Sequence, residues 1–293
     1  MDRAARPPGM GSAAADGAFP RTVTSFGGTT QIPAAPRRVV AISTGQLDAL
    51  LALGIVPVGA TRGENAGLVP AYLTRAFPDR AAELGAMVVL GLRTSPNIEA
   101  IASTRPDLIL ANKAGVEDLV PALSRIAPVV LTEGTGVNWK QDFLLLAHGV
   151  GRAQEAQRML DAFHADAGAL GGRLGTAPTV SFLRITAARV RVFGVPSFVG
   201  SIAEDAGLPR PQAQSFGATS RDISSEQLGD ADGGHIFYGV QGGASELLGS
   251  PMWTGIPAVA AGHATPVDDD VWYLNAGPVA ARHVLEGLAR SLT

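Results

Sequence analysis

The chain has 293 residues, 46% hydrophobic and 17% charged, with a formal net charge of -3 and no cysteine. This is the composition of a folded chain rich in alanine and glycine, long enough for one large domain or two ordinary ones. It excludes disulfides, thiolate metal sites and cysteine nucleophiles, and leaves no basic footprint for nucleic acid.

No apolar run reaches the roughly 20 residues that span a bilayer. Residues 1–20, "MDRAARPPGMGSAAADGAFP", lack the apolar core of a signal peptide and read as a flexible leader. Order is expected from "RTVTSFGGTTQIP", two short extended pieces around Gly27-Gly28 that predict a hairpin. "RRVVAIS" predicts a buried strand, "GQLDALLALGI" a helix and "VPVGA" a second strand, a β-α-β unit. "AMVVLGL" is a further apolar run ending at Arg93. In "SPNIEAIASTRPDLILAN" the residues Ser95, Pro96, Asn97 and Glu99 have the types that open a helix, and Pro106 separates it from the strand "DLILA". "VEDLVPALSRIAPVVLT" repeats helix then strand. Such alternation implies mostly parallel sheet with helices on both faces.

Between Ala153 and Leu174 the apolar residues Ala156, Met159, Leu160, Phe163, Ala167, Leu170 and Leu174 keep the three-four spacing of one helical face. At about 1.5 Å per residue that is a helix of about 30 Å. With "NWKQDFLLLAHGVG" before it, residues 139–175 read as a bridging helical segment. The first half's order then returns: "TVSFLRIT" as strand, "SFVGSIAEDAGLPRPQ" as helix, "SSEQLGDADGGHIFYGV" matching "NIEAIASTRPDLILAN", and "IPAVAAG" matching "IAPVVLT". The expectation is an α/β fold of two Rossmann-like lobes, 21–138 and 176–293, joined by one long α-helix.

Catalytic motifs are missing. There is no G-x-S-x-G elbow, Walker loop, H-E-x-x-H or helix-opening G-x-G-x-x-G. "GTGVNWK" reads as a hinge turn, the five histidines lack ligand spacing, and "DDD" at 268–270 reads as a solvated loop. What remains are arginines and aromatics at strand ends, where open α/β sheets bind ligands: Arg62, Arg93, Arg184, Trp139, Phe216, Trp272 and Tyr273.

In "PRRVVAIS", "LDALLALGIVPVG", "VLGLRTSPNIEAIASTRPDLIL", "VRVFGVPSF", "SPMWTGIPAVAAG" and "DDDVWYLNAGPVAA", taken in order, the chain resembles the iron-siderophore substrate-binding proteins of bacterial ABC importers, most closely the ferric hydroxamate branch. The resemblance runs from about Val23 to the C-terminus. It implies the class III periplasmic-binding-protein architecture, a ferric siderophore as ligand, an ABC permease as partner, no catalysis and no resident cofactor. The siderophore fills the iron's coordination sphere, so no protein metal ligand is expected. It implies that Arg93 forks donors onto the iron-bound oxygens, that Trp272 covers the ligand, with Phe216 where some relatives have tryptophan, and that Glu99 and Glu226 dock on the permease. A monomer, outside the cytoplasmic membrane and lipid-anchored in its native form, would follow.

Two departures stand out. Val116 lies near the position of a family tyrosine, and Arg184 adds a cation suited to citrate-type or catecholate chelates. Cobalamin or haem is the alternative ligand within the family, and a two-lobed α/β enzyme the alternative outside it.

Overall fold

The computed structural model describes residues 7–64, 66–134, 136–186, 189–241 and 246–293. They form two compact units, the first reaching Asp161 and including Ala276–Val279, the second holding Ala162–Asn275 and Ala280–Thr293.

The first unit carries a hairpin of β1 (Arg21–Ser25) and β2 (Gly28–Ile32), as Gly27-Gly28 predicts. Its main elements follow as β3 (Val39–Ala41), α1 (Thr44–Ala52), β4 (Gly59–Arg62), α2 (Ala71–Ala76), α3 (Ala81–Gly85), β5 (Val88–Leu92), β6 (Ser95–Pro96), α4 (Ile98–Ser103), β7 (Leu108–Asn112), α5 (Val120–Leu123), β8 (Val129–Thr132) and α6 (Trp139–Val150). The six-stranded sheet has the order β6-β5-β4-β3-β7-β8, parallel except for β6. Buried on both faces, β7 and β8 read as continuous apolar runs. Val40, Ile42, Leu90, Ile109, Ala111, Val129 and Leu131 make its core, and each larger side chain stabilises the fold by roughly 1.5–3 kcal/mol on burial.

Helix α7 (Ala153–Leu174) has the bounds that its periodicity predicts, and it runs across the division between the units. The bridging segment expected over 139–175 is shorter, however. Gly151 adopts φ +73°, ends α6 and separates it from α7, so Trp139–Val150 belongs to the first unit, where Phe143, Leu144 and Leu145 are buried.

The leader also differs from expectation. Residues 1–6 lie outside the described residues, but from Pro7 onward the segment is tied to the first unit. Gly11 bridges Thr24, Ser12 N–H donates to His148 Nδ1 at 3.2 Å, and Gln154 N–H at the start of α7 donates to Asp16 at 2.9 Å. Arg21, 2% exposed, donates to the carbonyls of His148, Ala15 and Ala18. Polar side chains that satisfy backbone groups left over by the helices hold this segment, which is why a hydrophobicity reading passes over it.

The second unit contains β9 (Val180–Thr186), β10 (Arg189–Phe193), α8 (Phe198–Asp205), β11 (Ser220–Ile223), β12 (His235–Val240), α9 (Pro251–Thr254), α10 (Pro257–Ala260), β13 (Ala264–Pro266) and most of α11 (Pro278–Leu292). Its sheet has the order β11-β10-β9-β12-β13. The parallel trio β9-β12-β13 reproduces β3-β7-β8, so the half-repeat holds on that side. On the other side β9 turns back into β10 as an antiparallel neighbour where β3 has the parallel β4. "IPAVAAG", expected to be a strand, is the helix α10, because Pro257 sits at its first position; the strand comes later as β13. The helix expected in "SSEQLGDADGG" is a 3-10 helix, Ser225–Ala231, with a capping box made by Ser224 and Gln227.

The last segment returns to the first unit before entering the second. Asp48, fully buried, accepts from the Tyr72 hydroxyl at 2.7 Å and from Val279 N–H at 2.8 Å, and so caps the first turn of α11.

Candidate functional site

Two arginines meet at the C-terminal ends of neighbouring parallel strands in the first unit. Arg62 closes β4, Leu92 closes β5 in register with it, and Arg93 follows in the tight turn to β6. The turn depends on Gly91 at φ +92°, where a Cβ would lie 2.8 Å from the carbonyl oxygen of Ser95. Arg93 N–H donates to the Arg62 carbonyl at 2.9 Å, which fixes the two residues side by side. Arg93 is exposed, and its guanidinium has no hydrogen-bond or ion-pair partner among the described residues. Arg62 makes only long contacts to the carbonyls of Gly63 and Ala66, at 3.4 and 3.3 Å. Neither guanidinium meets a carboxylate among the described residues.

Ser95 and Pro96, expected to open the next helix, pair back on β5 as β6 instead. The cap is Asn97, whose side chain accepts from Ala100 N–H at 3.0 Å. Glu99 is then the second residue of α4, exposed near the helix's positive end. Glu226 is likewise exposed and second in its 3-10 helix.

Polar groups that the sequence reading passes over lie at the same strand ends. Thr132 Oγ1 donates to Asn112 Oδ1 at 2.7 Å and Gln46 Nε2 donates to the same oxygen at 3.1 Å. Gln46 Oε1 and Thr61 Oγ1 are buried without a hydrogen-bond partner among the described residues. The signal for them is a polar residue closing an apolar run, as in "LILAN", "VVLT" and "VGAT". Asp142 in α6 grips the loop between β8 and its own helix by accepting from Glu133 and Gly134 N–H, both at 2.9 Å. Burial outweighs those two bonds and pushes its carboxyl up to about 7. "GTGVNWK" thus enters α6 through a 3-10 turn at Gly136–Asn138; Thr135 lies outside the described residues.

At the corresponding strand ends of the second unit the cation is already matched. Arg184 Nε faces both oxygens of Asp269, at 3.0 and 2.9 Å, and its Nη2 donates to Gln241 Oε1 at 2.8 Å. The extra positive charge expected from Arg184 is therefore neutralised within "DDD", whose middle acid is a salt-bridge partner and not a solvated loop residue. Tyr273 stacks on Phe193, centroids 4.7 Å apart, and its hydroxyl donates to the Phe237 carbonyl at 2.8 Å. Burial lifts that hydroxyl well above the usual tyrosine range.

Two aromatic positions differ from their expected roles. Trp272 is 5% exposed, stacked on Phe237 at 5.0 Å and pressed against Gly287 of α11, so its faces are filled by the unit's own core. Trp139 is buried in the first unit at the start of α6. Val116 lies in the first unit's core cluster, which explains a valine better than a ligand contact does. Phe216 is half-buried beneath the Arg221 guanidinium, 5.0 Å from its centroid. No group of three metal-ligating side chains occurs among the described residues.

The family model described as "Periplasmic binding protein" matches residues 39–271. The chain belongs to the periplasmic binding protein family. A relative from Bacillus subtilis, named "Probable siderophore-binding lipoprotein YfiY", is 33% identical to this periplasmic binding protein over 92% of the chain and 86% of its own length. The Escherichia coli protein FecB, named as an Fe(3+) dicitrate-binding periplasmic protein, is 25% identical over 91% of this chain and 88% of its own. Among solved structures, Staphylococcus aureus SirA complexed with staphyloferrin B superposes with a TM-score of 0.79, covering 92% of this chain and 98% of SirA at 24% identity. The two α/β units with mixed sheets and the long α7 are the class III periplasmic-binding-protein fold. The family is one of binding proteins, not enzymes.

Proposed function

We propose that this periplasmic binding protein captures a ferric siderophore outside the cytoplasmic membrane and hands it to an ABC importer permease. The observation that carries the reading is the Arg62–Arg93 pair, two arginines whose backbones are bonded side by side at strand ends, with no carboxylate meeting either guanidinium among the described residues. Oxygens charged by iron coordination are the natural partners of two such forks, since guanidinium presents paired donors at fixed geometry. The siderophore supplies all the iron's ligands, so the protein needs none. Names of relatives such as YfiY and FecB support the same ligand class.

Hydroxamate oxygens are one set Arg93 can serve, on the strength of the "GLR" phrase. The unneutralised pair favours a second reading, an anionic citrate-type chelate, which would engage both arginines. Glu99 and Glu226, each second in its helix and exposed, are the proposed docking acids. Titrating intrinsic tryptophan fluorescence with a ferric trihydroxamate, ferric citrate, a ferric catecholate, haem and cobalamin tests the reading. Saturable quenching by a ferric chelate supports it, and silence toward every chelate at micromolar concentration sinks it.

A further inference from the structure

The ion pair in the second unit sits on a strand position built to admit it. Arg184 on β9 is opposite Gly239 on β12 in the parallel ladder. A Cβ at Gly239 would lie 2.6 Å from Asp269 Oδ1 and 2.9 Å from the Tyr273 ring. Glycine inside a strand costs stability and usually marks a close approach; here the approaching group is the carboxylate that grips Arg184. Both partners are 14% exposed, so the pair is sheltered yet reachable from solvent.

Asp269 is a poorly stabilised partner. Burial raises its carboxyl, Arg184 pulls it back, and the neighbouring Asp268 and Asp270 push it up again. The other arginine–acid pairs among the described residues of this unit are more open: Asp222 takes Arg189 and Arg191, Asp230 takes Arg221, Asp166 takes Arg282 and Glu286 takes Arg290. Arg184 commits Nε to Asp269 and Nη2 to Gln241, which leaves Nη1 without a hydrogen-bond partner among the described residues.

We infer that Asp269 is an internal competitor that occupies Arg184 and sets the charge a ligand must carry to gain that arginine. A ligand carboxylate can replace the Asp269 carboxylate on the same Nε and leave Asp269 to solvent; a neutral hydroxamate face offers too little charge to do so. This rests on the proposed capture of ferric siderophores and names the specificity device within it. The gain from displacement is the difference between two arginine–carboxylate pairs, so it selects among ligands more than it adds affinity.

The test compares wild type, Asp269→Asn, Arg184→Ala and the double variant, with ferric citrate as the anionic probe and a neutral ferric trihydroxamate as the control. Asparagine keeps the shape of Asp269, and thermal melts report whether each variant is folded. Asp269→Asn should tighten ferric citrate at least five-fold and change trihydroxamate binding less than two-fold, and the double variant should lose the gain. Unchanged or weaker citrate binding overturns the inference, as does a gain that survives without Arg184. A ligand-free arm separates this from the function itself: phenylglyoxal should label Arg184 at least three-fold faster in Asp269→Asn. If no ferric chelate binds any form, the functional reading falls, and an unchanged labelling rate then overturns the lock as well.

Discussion

The backbone N–H of Arg93 donates to the carbonyl of Arg62 at 2.9 Å, so the two residues are held together by main chain and not by their side chains. Substituting either side chain therefore leaves the turn intact. Arg93→Ala should weaken ferric-siderophore binding by about 1.5–3 kcal/mol, the usual worth of a hydrogen bond to a charged group, or roughly ten- to a hundred-fold. Arg62→Ala should act in the same direction. Arg93→Lys should recover only part, since a lysine keeps the charge and loses the fork. Calorimetric titration with unchanged melting temperatures checks all three.

Trp272 is expected to behave as a core residue. Trp272→Ala should cost about 3–5 kcal/mol and lower the melting temperature by roughly 10 °C. A variant that melts like wild type but loses ligand would return the tryptophan to the binding surface.

Gly287 lies inside α11, where alanine would ordinarily favour the helix. Its Cβ would stand 2.6 Å from the Trp272 ring, so Gly287→Ala should destabilise by about 1–3 kcal/mol through overpacking. Combining it with Trp272→Phe should restore much of the loss, a coupling that a double-mutant cycle in urea would read.

Asp142 holds its proton more tightly in the folded protein, at about 7, than at its ordinary value of 3.8. A group raised on folding contributes stability that is complete below the unfolded value and lost as pH rises through the folded one. The Asp142 contribution should thus decline between about pH 4 and pH 7 and level off above. Urea midpoints of wild type and Asp142→Asn, compared across that window, should converge or cross as pH rises; a constant difference would remove the effect.

Glu99→Arg and Glu226→Arg should leave ligand affinity within two-fold and lower siderophore uptake by cells several-fold. Each acid's helix-end contribution of about 0.3–1 kcal/mol is too small to unfold the protein. Normal uptake by both variants would end their proposed role in docking.

Periodic burial was legible in the chain; placement by polar contact was not. Alternating apolar runs located most strands of both units, and three-four spacing gave α7 its bounds. The antiparallel β10 was missed because "RVRVF" alternates charge with valine and looks like surface. The residues 7–20 were missed because Asp16 and Arg21 fix them through backbone groups distant in sequence. At the candidate site "GLR" singles out Arg93 alone; that Arg62 stands beside it follows from the strand register and not from the sequence. The role of Trp272 came from the resemblance alone, and a sequence match does not show that the sheet and α11 enclose this ring. Arg184 looked like a free cation because its partner lies 85 positions away.

The Asp48–Val279 bond has a consequence for synthesis on the ribosome. Asp48 is made early, fully buried in the finished first unit, and the Val279 N–H at the start of α11, 231 positions later, donates to it. The unit that leaves the exit tunnel first is thus completed last. Until nearly the whole chain has emerged, the nascent first unit lacks the Val279 N–H that Asp48 accepts in the finished fold, and a chain released before Ala276 never gains that bond.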